Sequence, residues 1–186
     1  MRIVSGILKG KKINFLKSET TRPLRDFIKE NIFNIVKHSN LFNVKLENAN
    51  VLDLYSGVGS FGIECISRGV KKCTFVENDS KALLVLKKNL YDLKIEKQSE
   101  VFSGKIILFF NKLNNKDKFD IIFLDPPFAE DFFIDELRTI KDSTIYKQKH
   151  LIIIHREKES KDQLDKTINI LLIKDYGRSK LIFGTF

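Results

Sequence analysis

A mostly parallel, doubly wound α/β sheet of seven strands is predicted by three features of this 186-residue chain. From Asn50 onward, apolar runs of strand length alternate with amphipathic runs of helix length, the pattern of repeated βαβ units. The first of these strands, Val51-Leu52-Asp53-Leu54, leads through Tyr55 and Ser56 into Gly57-Val58-Gly59-Ser60-Phe61-Gly62, a GxGxxG sequence at the mouth of a helix. The last two apolar runs flank Asp175-Tyr176-Gly177-Arg178-Ser179, a link too short for a crossover helix, so the sheet ends in an antiparallel hairpin.

The elements follow in chain order. Residues 2 to 16 read as a small basic hairpin, with Gly6 and Gly10 at turn positions and an apolar face too small to fold alone. Thr21 can cap a helix whose first turn tolerates Pro23, and Phe27, Ile28, Ile32, Phe33, Ile35 and Val36 then recur at helical spacing to about His38. An Asn-rich connection, residues 39 to 50, leads into the main unit. Strands are expected near 50–55, 72–77, 99–102, 119–124, 149–155, 168–174 and 180–186, and helices near 60–69, 79–92, 104–113 and 131–141. The predicted organisation is an extension over residues 1–40 and one α/β domain over 41–186.

Composition narrows the function classes. Apolar residues make up 42% and charged residues 31%, and no apolar run approaches the length of about 20 residues that a membrane span requires. Met1-Arg2-Ile3-Val4-Ser5-Gly6 lacks the apolar core of a secretory signal, so a cytoplasmic protein without membrane partners is expected. Cys65 and Cys73 have no partners at metal-like spacing and read as buried thiols, and no metal is expected. Lys and Arg exceed Asp and Glu by 33 to 24, a net charge of +9. In the first fifty residues alone the balance is ten to four, or +6, which suits a phosphate backbone.

Ligands of open α/β sheets bind beyond the carboxyl ends of the strands, where the strand order reverses. There Asp53 can accept hydrogen bonds from the cationic amino group of S-adenosylmethionine, with Tyr55 beside it. Gly57, Gly59 and Gly62 let the main chain approach closely. Glu77, closing the second strand, can accept from both ribose hydroxyls, with Asn78 adjacent, while Asp79 serves equally as a helix cap. Ser103, after the third strand, offers a hydroxyl toward adenine. Glu64 fits a core-edge salt bridge as well as a ligand contact. A nicotinamide cofactor shares the glycine loop, but the terminal hairpin and the next motif do not suit hydride transfer.

That motif is Asp125-Pro126-Pro127-Phe128, delivered to the same sheet edge by Ile121-Ile122-Phe123-Leu124. The lone pair of an exocyclic base amine is delocalised into the ring, so the amine attacks only when its hydrogens are accepted and its geometry moves toward tetrahedral. Asp125 can accept one hydrogen and the Pro126 carbonyl another, Pro126 and Pro127 stiffen the loop, and Phe128 can stack on an extruded base. His155 and Arg156 after the fifth strand receive no chemical role, because amine methylation needs no histidine.

These features together resemble the bacterial 16S rRNA guanine-N2 methyltransferase family, the RsmD-like enzymes. The resemblance runs nearly end to end: Met1-Arg2-Ile3-Val4-Ser5-Gly6 with Lys9-Gly10, Thr21-Arg22-Pro23 through Asp26, Glu30, Phe33 and Asn34, Asp53 to Gly62 with Glu64, Ser67, Arg68 and Gly69, and Asp125 to Phe128. It implies a class I, Rossmann-like fold, S-adenosylmethionine as cofactor, and methylation of a guanine N2 amine in 16S rRNA or the small ribosomal subunit. The extension would contact RNA through Arg2, Lys9, Lys11, Arg22 and Arg25, with the protein acting as a monomer. Leu24, Phe27 and Ser103-Gly104 depart from the family pattern. Two other readings remain: methylation of adenine or cytosine amines in DNA or other RNA, and a nucleic-acid-binding module without catalysis.

Overall fold

The computed structural model describes residues 1–16, 24–113, 117–127 and 132–186. Seven strands form one sheet: β1 (Asn50–Leu54), β2 (Lys72–Glu77), β3 (Ser99–Ser103), β4 (Phe119–Leu124), β5 (Tyr146–Glu157), β6 (Asn169–Tyr176) and β7 (Ser179–Thr185). Their order is β3-β2-β1-β4-β5-β7-β6. The first five are parallel, while β7 runs antiparallel to both β5 and β6, as the periodicity and the short final link required. Strand order reverses between β1 and β4, which opens a crevice at their carboxyl ends.

Alternation along the central strands divides the core between two faces. Val51, Phe75, Ile121, Phe123 and Ile153 pack on one side with α1 (Asp26–His38), α2 (Ser60–Ser67) and α3 (Ser80–Leu93). Leu52, Leu54, Ile122, Leu124 and Ile154 pack on the other with α4 (Ile106–Phe110) and α5 (Phe133–Ser143). Every residue of α2 is buried. Phe61 of α2 stacks on Phe123 at 3.9 Å and on Phe33 of α1 at 5.4 Å between centroids, so one aromatic column ties sheet, helix and extension together.

The extension docks through polar chemistry buried beneath it. Glu64 of α2, wholly buried, accepts the N–H groups of Val4 at 2.8 Å and Ser5 at 2.9 Å and the Arg68 Nε–H at 2.9 Å. The fully buried Lys29 ammonium lies 3.8 Å from Glu64 and donates to the Arg2 carbonyl at 2.8 Å. Ser67 donates to the Ser5 carbonyl and accepts the Leu8 N–H. A side chain on Gly6 would collide with the Ser67 carbonyl, its Cβ falling 1.8 Å from that oxygen. Of its two possible roles, Glu64 therefore takes the structural one.

Several boundaries differ from expectation for identifiable reasons. The extension pairs through a single bridge, Arg2 with Lys12, rather than two full strands. α1 begins at Asp26 after an extended Arg25 that makes no side-chain cap; Thr21 lies outside the described residues. Phe27 does not face the core but is 60% exposed, because Lys29 takes the buried position beside Glu64. α4 is five residues long where ten were expected. β5 is longer than expected because β4 and β7 hold its two ends. The β6–β7 turn shrinks to Gly177 and Arg178, with Gly177 at φ 59°, as a two-residue hairpin demands. No helix among the described residues is long and apolar enough to cross a membrane.

Candidate active site

A cavity of about 460 Å³ opens at the crevice, within the range of about 300–1,000 Å³ typical of small-molecule sites. β1 and its loop contribute Asp53, Tyr55, Gly57 and Val58; β2 gives Glu77 and Asn78; β4 gives Asp125, Pro126 and Pro127; β5 gives His155. Met1, Phe15, Leu16 and Leu24 form a further wall. The extension is therefore part of the cavity.

The glycine loop owes its course to two residues. Gly57, at φ 54°, leaves open space where a Cβ would stand, and Gly59, at φ 88°, leads into α2 where a Cβ would strike Leu86 at 2.5 Å. Tyr55 also has positive φ, 58°, and its hydroxyl donates to Glu136 of α5. Gly62 does not line the cavity. A Cβ there would lie 2.3 Å from Phe75 and 2.5 Å from Cys73, so this glycine serves helix-to-strand packing, and its N–H donates to Asp53 Oδ2 at 2.9 Å.

Asp53 is 1% exposed yet lines the cavity. Burial pushes its carboxyl well above the usual carboxylate range; the Gly62 N–H opposes this, and the negative charges of Asp125 and Glu77 add to it. A buried acid in this state gains from a cation placed against it. Glu77 accepts the Gly57 N–H at 2.6 Å through Oε2, and those of Asn78 and Asp79 at 2.9 and 2.8 Å through Oε1. It thereby fixes both loops that would flank a ribose. Asp79 caps α3, accepting from Ala82 at 2.7 Å. Ser103 pairs with Glu77 in register but is exposed and away from the cavity wall.

The proline loop is held from behind. Arg156, 2% exposed, donates through Nη1 to the Pro127 carbonyl at 2.9 Å and forks onto Asp162 at 2.9 and 3.0 Å, with its guanidinium 4.5 Å from the centre of the Phe133 ring. Burial alone would raise the Asp162 carboxyl, but the two hydrogen bonds from Arg156 and the positive charges of Arg156 and Lys180 keep it below the usual range. Asp125 accepts from His155 Nδ1 at 2.8 Å. Phe128 and Arg22 lie outside the described residues. Arg2, Lys9, Lys11 and Arg25 are exposed, and Arg2 and Arg25 directly follow the cavity-lining Met1 and Leu24.

Sequence reasoning missed three contributions. His155 and Arg156 support the proline loop through strand register, which no local pattern reveals. Asn89 of α3 accepts the Asn14 N–H at 2.9 Å and donates to the Asn14 and Val58 carbonyls, each at 3.0 Å. It thereby pins the residue before Phe15 to the glycine loop. Only its polarity within an otherwise apolar helix face could have signalled it.

Comparison with known proteins converges on one family. The family model described as conserved hypothetical protein 95 matches residues 1–185. The ribosomal RNA small subunit methyltransferase D of Haemophilus influenzae is 34% identical over 160 residues, covering 86% of this chain and 80% of that protein. Its namesake from Buchnera aphidicola is 30% identical over 186 residues, covering 100% and 91%. The solved structure of yhhF, a suggested methyltransferase from Escherichia coli, superposes with a TM-score of 0.82 over 99% of this chain and 96% of that one. At 23% identity that match speaks to the fold.

Proposed function

The chain belongs to the conserved hypothetical protein 95 family, and on that footing we propose that it is an S-adenosylmethionine-dependent methyltransferase of small-subunit rRNA, acting on the exocyclic N2 amine of a guanine. The observation that carries the reading is that Asp53 and Asp125, the two acids it needs, line one cavity walled by the basic extension. The residues present suit the cofactor: a buried acid for its amino group, an open glycine backbone, and a carboxylate at the end of β2 for its ribose. Bound S-adenosylmethionine would supply an electrophilic methyl group on a sulfonium, whose S–CH3 bond breaks to leave a neutral thioether as the amine takes the methyl.

The chain's own groups do the rest. Asp53 holds the cationic amino group, Gly57 and Val58 admit the donor against the main chain, and Glu77 with Asn78 orients the ribose. Asp125 and the Pro126 carbonyl accept the two amine hydrogens, and Asp125 takes up the proton released once the new N–C bond forms. Pro126 and Pro127 stiffen these acceptors, while Phe128 stacks on the extruded guanine. Arg2, Lys9, Lys11, Arg22 and Arg25 take the RNA backbone, Arg2 and Arg25 from beside the cavity-lining Met1 and Leu24. Residues 1–40 thus act as an RNA-contacting extension of a transferase domain over 41–186, in a cytoplasmic monomer without membrane partners.

Calorimetric binding of S-adenosylmethionine, followed by tritium-methyl transfer to small subunits lacking the modification, tests this reading; absence of both sinks it. Asp53 adds a pH signature. Its raised carboxyl is protonated in the free protein over a window above the usual value of about 3.9, and a bound cation favours the ionised form. Binding in that window releases a proton, so affinity climbs with pH, by at most about tenfold per unit, and levels off above the raised value. A titration series running upward in pH from the usual carboxylate value of about 3.9, in buffers of different ionisation enthalpy, will show that release. Affinity constant across the series, with no proton released, contradicts it.

A further inference from the structure

We propose that His155 is a positioning residue for methyl transfer, holding the Asp125 carboxylate so that its second oxygen meets the acceptor amine. The proposal rests on the functional reading above. Sheet register creates the pair. β4 and β5 run parallel with Leu124 beside Ile154, so Asp125, the first residue past β4, stands alongside His155, which is still within β5, and the two side chains turn to the same face. Nδ1 of the imidazole lies 2.8 Å from Asp125 Oδ1. Both side chains line the cavity, His155 8% and Asp125 20% exposed. The His155 backbone is itself anchored by pairing with Leu181 of β7.

An ionised carboxylate only accepts hydrogen bonds, so Nδ1 carries the hydrogen in this contact. The imidazole occupies Oδ1 and leaves Oδ2 for an amine hydrogen. A carboxylate without such a partner turns readily about its Cβ–Cγ bond, a broad torsion. Attack geometry tolerates little of that freedom: misplacement by about 1 Å can cost about a hundredfold in rate. Arg156 holds the Pro127 carbonyl two residues on, so β5 secures both ends of the Asp-Pro-Pro turn. His155 touches neither amine nor methyl donor and acts through Asp125.

Replacement of His155 in the full chain separates positioning from mere packing. His155→Ala is expected to lower kcat for small-subunit methylation by about a hundredfold, with the cofactor Kd and the subunit KM changed by less than about threefold. His155→Asn, whose amide N–H can stand near the place of Nδ1, should recover most of that loss, whereas His155→Gln, reaching farther, should not. Equal failure of Asn and Gln, or a melting temperature and Kd that fall together with kcat, overturns the proposal. Nitrogen-15 spectra of histidine-labelled protein supply an arm independent of activity. They should show a hydrogen-bonded Nδ1–H for His155 that shifts in Asp125→Ala, and its absence overturns the pairing. If that signal is present while the unaltered protein methylates no rRNA, the failure belongs to the substrate assignment.

Discussion

Asp125→Ala is expected to slow methyl transfer by about two to four orders of magnitude while leaving the cofactor bound. The carboxylate lines the cavity just past the end of β4, held at Oδ1 by His155, whereas the groups assigned to the cofactor lie on β1, β2 and their loops. Removal of the acceptor that draws the amine toward tetrahedral geometry should lower kcat by about 100- to 10,000-fold, the span typical of a single acid–base group. The cofactor Kd should move little, and removal of a negative charge near Asp53 should ease Asp53 ionisation. Asp125→Asn keeps one acceptor oxygen and should lose less. Single-turnover transfer with saturating cofactor reads the effect, and a variant that still methylates within about tenfold of the unaltered protein removes Asp125 from the chemistry.

Glu64→Ala should produce the largest loss of stability. This carboxylate is wholly buried and serves the Val4 and Ser5 amides, Arg68 and Lys29 together. Its removal leaves a buried ammonium facing a void and two backbone donors without acceptors. Deletion of one partner from a buried ion pair costs about 3–5 kcal/mol, which for a domain of this size lowers the melting temperature by about 10 °C. The damage should not stop at stability. Residues 1–16 would loosen, and with them the cavity wall of Met1, Phe15 and Leu16, so cofactor affinity should fall as well. A melting temperature within about 2 °C of the original would show that the extension is held by its apolar contacts alone.

How legible each part was depended on how local its cause is. The sheet could be read because β1, β2 and β4 carry their apolar patterns on contiguous residues, and the final hairpin because Gly177 marks a tight turn. The Asp-Pro-Pro turn and the glycine loop were readable for the same reason. What escaped arises between elements. The His155–Asp125 pair exists only because β4 and β5 share a register, and the grip of Arg156 on Pro127 depends on a loop that brings Asp162 back to it. Gly62 satisfies a ligand motif in sequence but in space is a packing glycine under β2. Ser103 ends the right strand yet stays outside the cavity. Phe27 matches the apolar spacing of α1, but the buried cluster around Glu64 draws Lys29 inward instead. The extension, expected as an appendage that contacts RNA, also walls the cavity, because Asn89 ties Asn14 to the glycine loop.

The central claim joins a donor, an atom and a substrate, and one measurement reaches all three. Small ribosomal subunits lacking the modification, incubated with the protein and S-adenosylmethionine, can be digested and their nucleosides mapped by mass. The expected result is one N2-methylguanosine at a single position of 16S rRNA, absent when Asp125→Ala replaces the unaltered protein. A methyl group on adenine or cytosine, or on naked duplex DNA in preference to the subunit, would contradict it.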